Sequence, residues 1–223
     1  QVVGIDCPDS YRRALRANGF EHDGEPLDVD ALDAMIITHL HGDHVNGLEM
    51  VLAYRRYIVE RKLDLYVPPP LVNTLWQHRL GASLGQTWTG ERHESLHPED
   101  YYDLTELPWE RSVEVGPFEV TTRQTVHHIP TAALRISDGD ATLGYSCDTE
   151  FDESLIEWLA DCDLILHETS YGPGHTPLFE LQELRREIRD KLVVVHQPDD
   201  LLERRDELDL RFAREGEALR VEA

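Results

Sequence analysis

Six residues constrain this chain more than any others: His39-Leu40-His41-Gly42-Asp43-His44. Three imidazoles and a carboxylate this close together suit neither an apolar core nor an ordinary solvated turn. Around a borderline-soft divalent cation they are a natural ligand set. The run follows Ala34-Met35-Ile36-Ile37, an apolar strand-like stretch, and leads into Val45–Lys62. There Leu48, Val51, Leu52, Tyr54, Ile58 and Val59 recur at helical spacing. The candidate ligands are therefore expected on a strand-to-helix loop held by a rigid scaffold.

Further candidates follow other strand-like runs. Val120–Val126 alternates and ends in His127-His128, Leu143–Ser146 ends in Cys147-Asp148, and Leu192–Val195 ends in His196. Residues that terminate successive strands tend to open onto one edge of a sheet. Neighbouring strand residues face opposite ways, so only one of His127 and His128 is expected to point inward.

Strand-like runs at Val2–Asp6, Met35–Thr38, Leu63–Val67, Val113–Val115, Phe118–Val126, Ala133–Ser137, Ala141–Ser146, Asp163–Leu166 and Leu192–Val195 alternate with helical patterns. The helical patterns are Asp9–Asn18, Val45–Lys62, Pro70–Leu80, Asp152–Ala160, Pro177–Asp190 and Pro198–Arg205, with Asp199 or Asp200 as the N-cap of the last. Tight turns are expected at Val115-Gly116-Pro117-Phe118 and Asp138-Gly139-Asp140. This mixture predicts an α/β protein, with residues 1–223 as a single domain. The stretch 81–111, rich in Gly, Trp, Tyr, His and acids, reads as a lid, an insertion or an oligomer contact, and a homodimer is one expectation.

The formal net charge of −23 argues against a broad nucleic-acid-binding face. The local exception would be a basic patch at Arg55, Arg56, Arg61 and Lys62. No run approaches the length of a membrane span. Three scattered cysteines and no leader-like segment suggest a reducing cytoplasm.

In this order and spacing the motifs resemble the metallo-β-lactamase superfamily of hydrolases, and the likeness covers nearly the whole chain. Its most specific element is His39-x-His41-x-Asp43-His44, followed by a His, an Asp and a last His. The resemblance implies an αββα sandwich of two mixed β-sheets flanked by helices, here lacking the N-terminal strands that usually precede Asp6. It implies two divalent metal ions, Zn first, with Mn or Fe as alternatives. His39, His41 and His127 would hold one ion, and Asp43, His44 and His196 the other. Asp148 would bridge them, in a Ser146-Cys147-Asp148-Thr149 run that resembles the family's Ser-Gly-Asp-Thr.

The ribonuclease Z branch is the nearest likeness. Leu166-His167-Glu168-Thr169-Ser170 resembles its His-Glu-Ala-Thr run, and Gly174-His175-Thr176 its His-Ser-Thr run. By that resemblance Asp43 orients or deprotonates the attacking water and His175 protonates the leaving oxygen. His128, His167 and Glu168 would support the site or face the substrate. From the residues alone, His167 and Glu168 read equally as a buried structural pair, and His175 as a cap of the helix after Pro177.

The run His196-Gln197-Pro198-Asp199-Asp200 departs from the branch, and its glycine- and proline-rich RNA-gripping arm is not evident. The activity implied is therefore hydrolysis of a phosphodiester in a small molecule or short nucleotide, by a metal-bound hydroxide. The alternative is a lactonase or thioesterase acting on a carbon ester. A phosphate pocket would draw on Arg135 and Thr131, and an acyl pocket on Trp76, Trp88 and Leu84.

Overall fold

The computed structural model describes residues 1–223, which form two compact units, Gln1–Pro108 and Trp109–Ala223. The first is built on a four-stranded sheet in the order Val3–Ile5, Ala34–Ile36, Leu63–Val67, Tyr102–Glu106, and all three pairings are parallel. Every residue of Ala34–Ile36 is buried, as expected for an inner parallel strand covered on both faces. In Leu63–Val67 the buried Leu63, Leu65 and Val67 alternate with Asp64 and Tyr66, so this strand has one drier face.

The pattern at 45–62 resolves into a short helix, Gly42–Val45, a second helix, Leu48–Tyr54, and a π segment, Arg55–Val59. Leu48, Val51 and Leu52 are the helix's buried stripe, at the spacing that marks one helical face. Arg55 is wholly buried, and its guanidinium donates to the carbonyls of Val29, Asp30, Leu32 and Lys62. Arg56 pairs with Asp100 and Lys62 with Asp103. Of the expected basic patch, Arg55, Arg56 and Lys62 are therefore engaged by other groups of the chain, and Arg61 is exposed.

The 81–111 stretch carries more order than its weak periodicity suggests. It holds an antiparallel hairpin, Gln86–Trp88 with His93–Ser95, and a 3-10 turn at Pro98–Asp100. It then supplies Tyr102–Glu106, a strand of the first sheet. Tyr101 and Tyr102 are buried against Trp76.

The second unit is built on a seven-stranded mixed sheet. Arg211–Phe212, Leu192–Val195, Leu164–Glu168 and Thr142–Tyr145 pair in parallel, and Ala132–Ser137, Phe118–Gln124 and Ser112–Val115 continue antiparallel. Both expected turns are present: Val115 pairs with Phe118 across Gly116-Pro117, and Gly139, at φ +94°, closes the next hairpin. Helix Glu153–Leu159 is capped by Asp152, which accepts from Ser154 N at 2.8 Å.

Two helical expectations are corrected. Pro177–Asp190 breaks into Leu178–Glu183 and Arg186–Arg189, because Leu184 and Arg185 adopt extended ψ near 150° and 140°. The last helix, Asp199–Arg204, has Pro198 rather than an aspartate at its N-cap. Asp199 and Asp200 lie in its first turn, where negative charge meets the positive end of the helix. Asp200 also accepts from Tyr171 Oη.

Candidate metal centre

Each unit gathers a set of histidine and carboxylate side chains beyond the C-terminal ends of its parallel strands. In the first unit the set is His39, His41, Asp43 and His44. His39 follows the strand Ala34–Ile36 closely and is fully buried. His39 Nε2 and His41 Nδ1 lie 3.2 Å apart. Two ligand atoms ~2.05 Å from one tetrahedral zinc are separated by ~3.3 Å, so this pair suits a shared ion. His44 is buried while Asp43 is largely exposed, and His44 Nε2 stands 3.7 Å from Asp43 Oδ2.

The outer nitrogens of these rings are anchored. His44 Nδ1 donates to Asp6 Oδ2 at 2.7 Å, and His39 Nδ1 lies 3.1 Å from Thr38 Oγ1. Asp6 also accepts from Thr38 N and Thr38 Oγ1. The loop is clamped from below: Cys7 N donates to His44 O, and Gly47 N donates to Cys7 O. A Cβ at Gly47 would come within 2.1 Å of Pro8 O, so only glycine allows this approach.

In the second unit the set is His127, Asp148, His175 and His196. His127 Nδ1 donates to Gly174 O at 2.7 Å, leaving Nε2 3.6 Å from Asp148 Oδ2. The same carboxylate oxygen lies 3.8 Å from His196 Nε2. Ligand-type atoms of Asp148, His175 and His196 all lie within 4.8 Å of one another. His128 is exposed and its ring lies against Gly174, so His127 is the neighbour that meets Asp148.

Three strand-end residues adopt left-handed backbone angles: Asp6 at φ +56°, Cys147 at +50° and His196 at +52°. Such angles cost ~1 kcal/mol or more for a residue with a Cβ, and strain of this kind gathers at functional sites. At Cys147 the conformation explains why a Ser-Gly-Asp-Thr run carries glycine at that place.

Glu168 is fully buried and accepts from Thr149 N at 3.0 Å, from Thr176 N and from His175 Nδ1 at 2.9 Å. His175 is thus held by a carboxylate and does not cap the following helix, whose N-cap is Pro177. Burial is the largest influence on its acidity and lowers its pKa below the usual histidine value, against the opposing charge of Asp148. His167 and Glu168 are not a side-chain pair: His167 Nδ1 donates to the Glu168 carbonyl at 2.8 Å. Burial depresses the His167 pKa to about 4, so the ring is neutral.

Several expected pocket residues are engaged elsewhere. Trp76 and Leu84 belong to the first core, while Trp88 is exposed and pairs with His93 on the hairpin. Arg135 lies over the Trp158 ring, and the buried Thr131 hydroxyl donates to Ile129 O. Sequence reading missed Asp6, Thr38 and Gly174 as supports. The available signal for Asp6 was its place at the end of a short apolar strand, the same context that flagged His127, Asp148 and His196.

A ligating histidine usually has its second ring nitrogen bonded to a carboxylate, carbonyl or hydroxyl, which fixes tautomer and orientation. His39, His44 and His127 each meet that condition. The buried clusters therefore suit one or two adjacent metal ions and a metal-dependent hydrolase chemistry.

Comparison with known proteins agrees. A family profile described as "Anti-Pycsar protein Apyc1" matches residues 2–219. A protein of that name from Bacillus phage 010DV004 is 32% identical over 215 residues, spanning 88% of this chain and 78% of the relative. A "cAMP/cGMP-dependent 3',5'-cAMP/cGMP phosphodiesterase B" from Dictyostelium discoideum is 28% identical over 212 residues, spanning 87% of this chain and 18% of that protein. Among solved structures, the metallo-β-lactamase fold protein YhfI from Bacillus subtilis superposes with a TM-score of 0.71 at 20% identity, covering 96% of this chain and 85% of YhfI. The fold is that of the metallo-β-lactamase superfamily. No helix of the structure is long and apolar enough to cross a membrane.

Proposed function

This chain belongs to the anti-Pycsar Apyc1 family, and from that premise we propose that it is a dinuclear metal-dependent phosphodiesterase acting on a 3',5'-cyclic nucleotide. The observation that carries the reading is the position of Asp148 Oδ2, 3.6 Å from His127 Nε2 and 3.8 Å from His196 Nε2. A single carboxylate oxygen within 4 Å of two such nitrogens supports a ligand role for Asp148 toward ions held by either histidine. In this reading His39, His41 and His127 would hold one ion, Asp43, His44 and His196 would hold the other, and Asp148 would contribute to both. Zinc is the first choice for this nitrogen and oxygen set, with manganese or iron as alternatives.

Bound there, a pair of divalent ions supplies water activation near neutral pH and offsets charge on the phosphoryl oxygens. The residues of the chain do the remainder. Asp43 orients the attacking water by accepting its hydrogen bond. Glu168 fixes His175 through Nδ1 and, as a carboxylate, offsets the charge of the ring once Nε2 has taken up a proton, which that nitrogen then delivers to the leaving oxygen. The cyclic substrate is supported by the Dictyostelium relative, which is named a 3',5'-cAMP/cGMP phosphodiesterase, and by the net charge of −23, which disfavours a polynucleotide. Carbon-ester hydrolysis is the weaker reading, because Leu84 is buried in the first core and Trp76 packs against it.

The test is metal analysis coupled to a substrate panel. We expect about two ions per chain, release of 5'- or 3'-nucleotide from 3',5'-cyclic nucleotides, and loss of turnover on chelation. Metal-replete protein that cleaves lactones or thioesters and leaves every phosphodiester intact would defeat the proposal.

A further inference from the structure

With 44 acidic residues against 21 basic ones, this chain pairs most of its guanidinium groups with carboxylates. Arg12 binds Asp28, Arg56 binds Asp100 and Arg92 binds Glu94. Arg79 does otherwise. It is partly exposed, and its Nη2 donates to the side-chain oxygen of Asn46, a neutral amide. That difference matters physically. A carboxylate partner cancels the charge it holds, whereas an amide positions a guanidinium and leaves its charge available.

The place to which Arg79 is tethered is specific. Asn46 is the C-cap of the short helix Gly42–Val45, which carries Asp43 and His44. Its amide lies against Gly42, so near that a Cβ there would come within 2.9 Å of Asn46 Nδ2. Arg79 is therefore one side chain away from the backbone between His41 and Asp43. It projects from a second π segment, Trp76–Leu80, and such segments recur at functional sites. Arg61, by contrast, precedes the strand Leu63–Val67 and so stands at the opposite edge of the parallel sheet.

We propose that Arg79 is a substrate-binding residue that grips the anionic phosphoryl group presented to the His39–His44 loop. The inference rests on the phosphodiesterase reading above. An anion approaching a protein of net charge −23 is repelled at long range, so a local uncancelled cation beside the ligand loop raises its occupancy. The tether to Asn46 uses one of five guanidinium donors, and the planar fork can offer two others to phosphoryl oxygens together.

The test uses metal-loaded wild type, Arg79→Met, Arg79→Lys and Asn46→Ala. Three quantities are read: metal content, the Kd of inorganic phosphate, and KM and kcat with 3',5'-cyclic AMP. We expect metal content to be unchanged in Arg79→Met while the phosphate Kd and KM both rise ~10- to 100-fold, the range of a charged hydrogen bond. Arg79→Lys should recover part of the loss, and Asn46→Ala should weaken phosphate less than Arg79→Met. An unchanged phosphate Kd in Arg79→Met overturns the proposal. So does a fall in metal content, which would make Arg79 a prop for the loop. If wild type leaves every cyclic nucleotide intact, the phosphodiesterase reading fails separately, and the phosphate titration still decides the role of Arg79.

Discussion

Asp6 and His44, 38 residues apart, meet at 2.7 Å, with the Asp6 carboxylate accepting from His44 Nδ1 in a buried setting. This one bond ties the end of the first strand to the candidate ligand loop. It sets the tautomer of His44, because a carboxylate can only accept, so Nε2 carries the lone pair.

Asp6→Asn tests that relationship with little change in volume. An amide in place of the carboxylate lowers the basicity of the ring and weakens its orientation. Metal affinity is expected to fall ~10- to 100-fold, the usual effect of losing such a support, while the fold persists. Competitive titration against a chromophoric chelator, with circular dichroism as the control, reads both.

Glu168→Gln should separate proton delivery from metal binding. Glu168 contacts His175 at 2.9 Å and Thr149 N at 3.0 Å. The variant should retain its ions and its KM, with kcat down by about 10²-fold or more, within the range for general acid catalysis. His175→Ala should match it, and combining the two should add little because they act as a unit. A full kcat in His175→Ala with metal bound would remove the proton-donor role.

His167 makes stability depend on pH. Its pKa in the folded chain is about 4, below the ordinary histidine value near 6.5, because burial penalises the charged ring. The unfolded chain therefore takes up the proton first as pH falls. The stabilisation by the neutral ring is fully present above about pH 6.5 and is lost progressively down to about pH 4. The loss is ~3 kcal/mol at the lower limit. His167→Gln, which does not titrate there, should lack this component. Urea denaturation of both proteins at pH 7.5, 5.5 and 4 measures it, and parallel slopes would refute the assignment.

Arg55→Met would strand the carbonyls of Val29, Asp30, Leu32 and Lys62 that the guanidinium now satisfies. Unsatisfied buried polar groups cost ~1–3 kcal/mol each, so a loss of ~3 kcal/mol or more is expected. For a chain of this length that is a fall of roughly 10 °C in Tm by differential scanning calorimetry. Metal content should be unaffected in the variant that remains folded.

Local order carried much of this protein on its surface. The run His39–His44 is contiguous, and the apolar stretches before His39, Asp148 and His196 and the alternating one before His127 announce strands. For that reason the two sheets, the hairpin turns and the clustering of candidate ligands within each unit were legible from residue spacing. Periodicity failed where a core strand lacked it. Tyr102–Glu106 alternates poorly, and only its pairing with Leu63–Val67 makes it a strand. Contacts distant along the chain were decided by tertiary structure: Asp6 on His44, Glu168 on His175, Gly174 on His127, and the four carbonyls around Arg55. Hydrogen-bond partners depend on which backbone segments are brought within 3 Å, and no local propensity encodes that. The His127-His128 pair shows both sources at once: its place after a strand-like run was legible in the sequence, whereas the strand stops at Gln124 and only the tertiary structure brings His127 onto the Gly174 carbonyl and near Asp148.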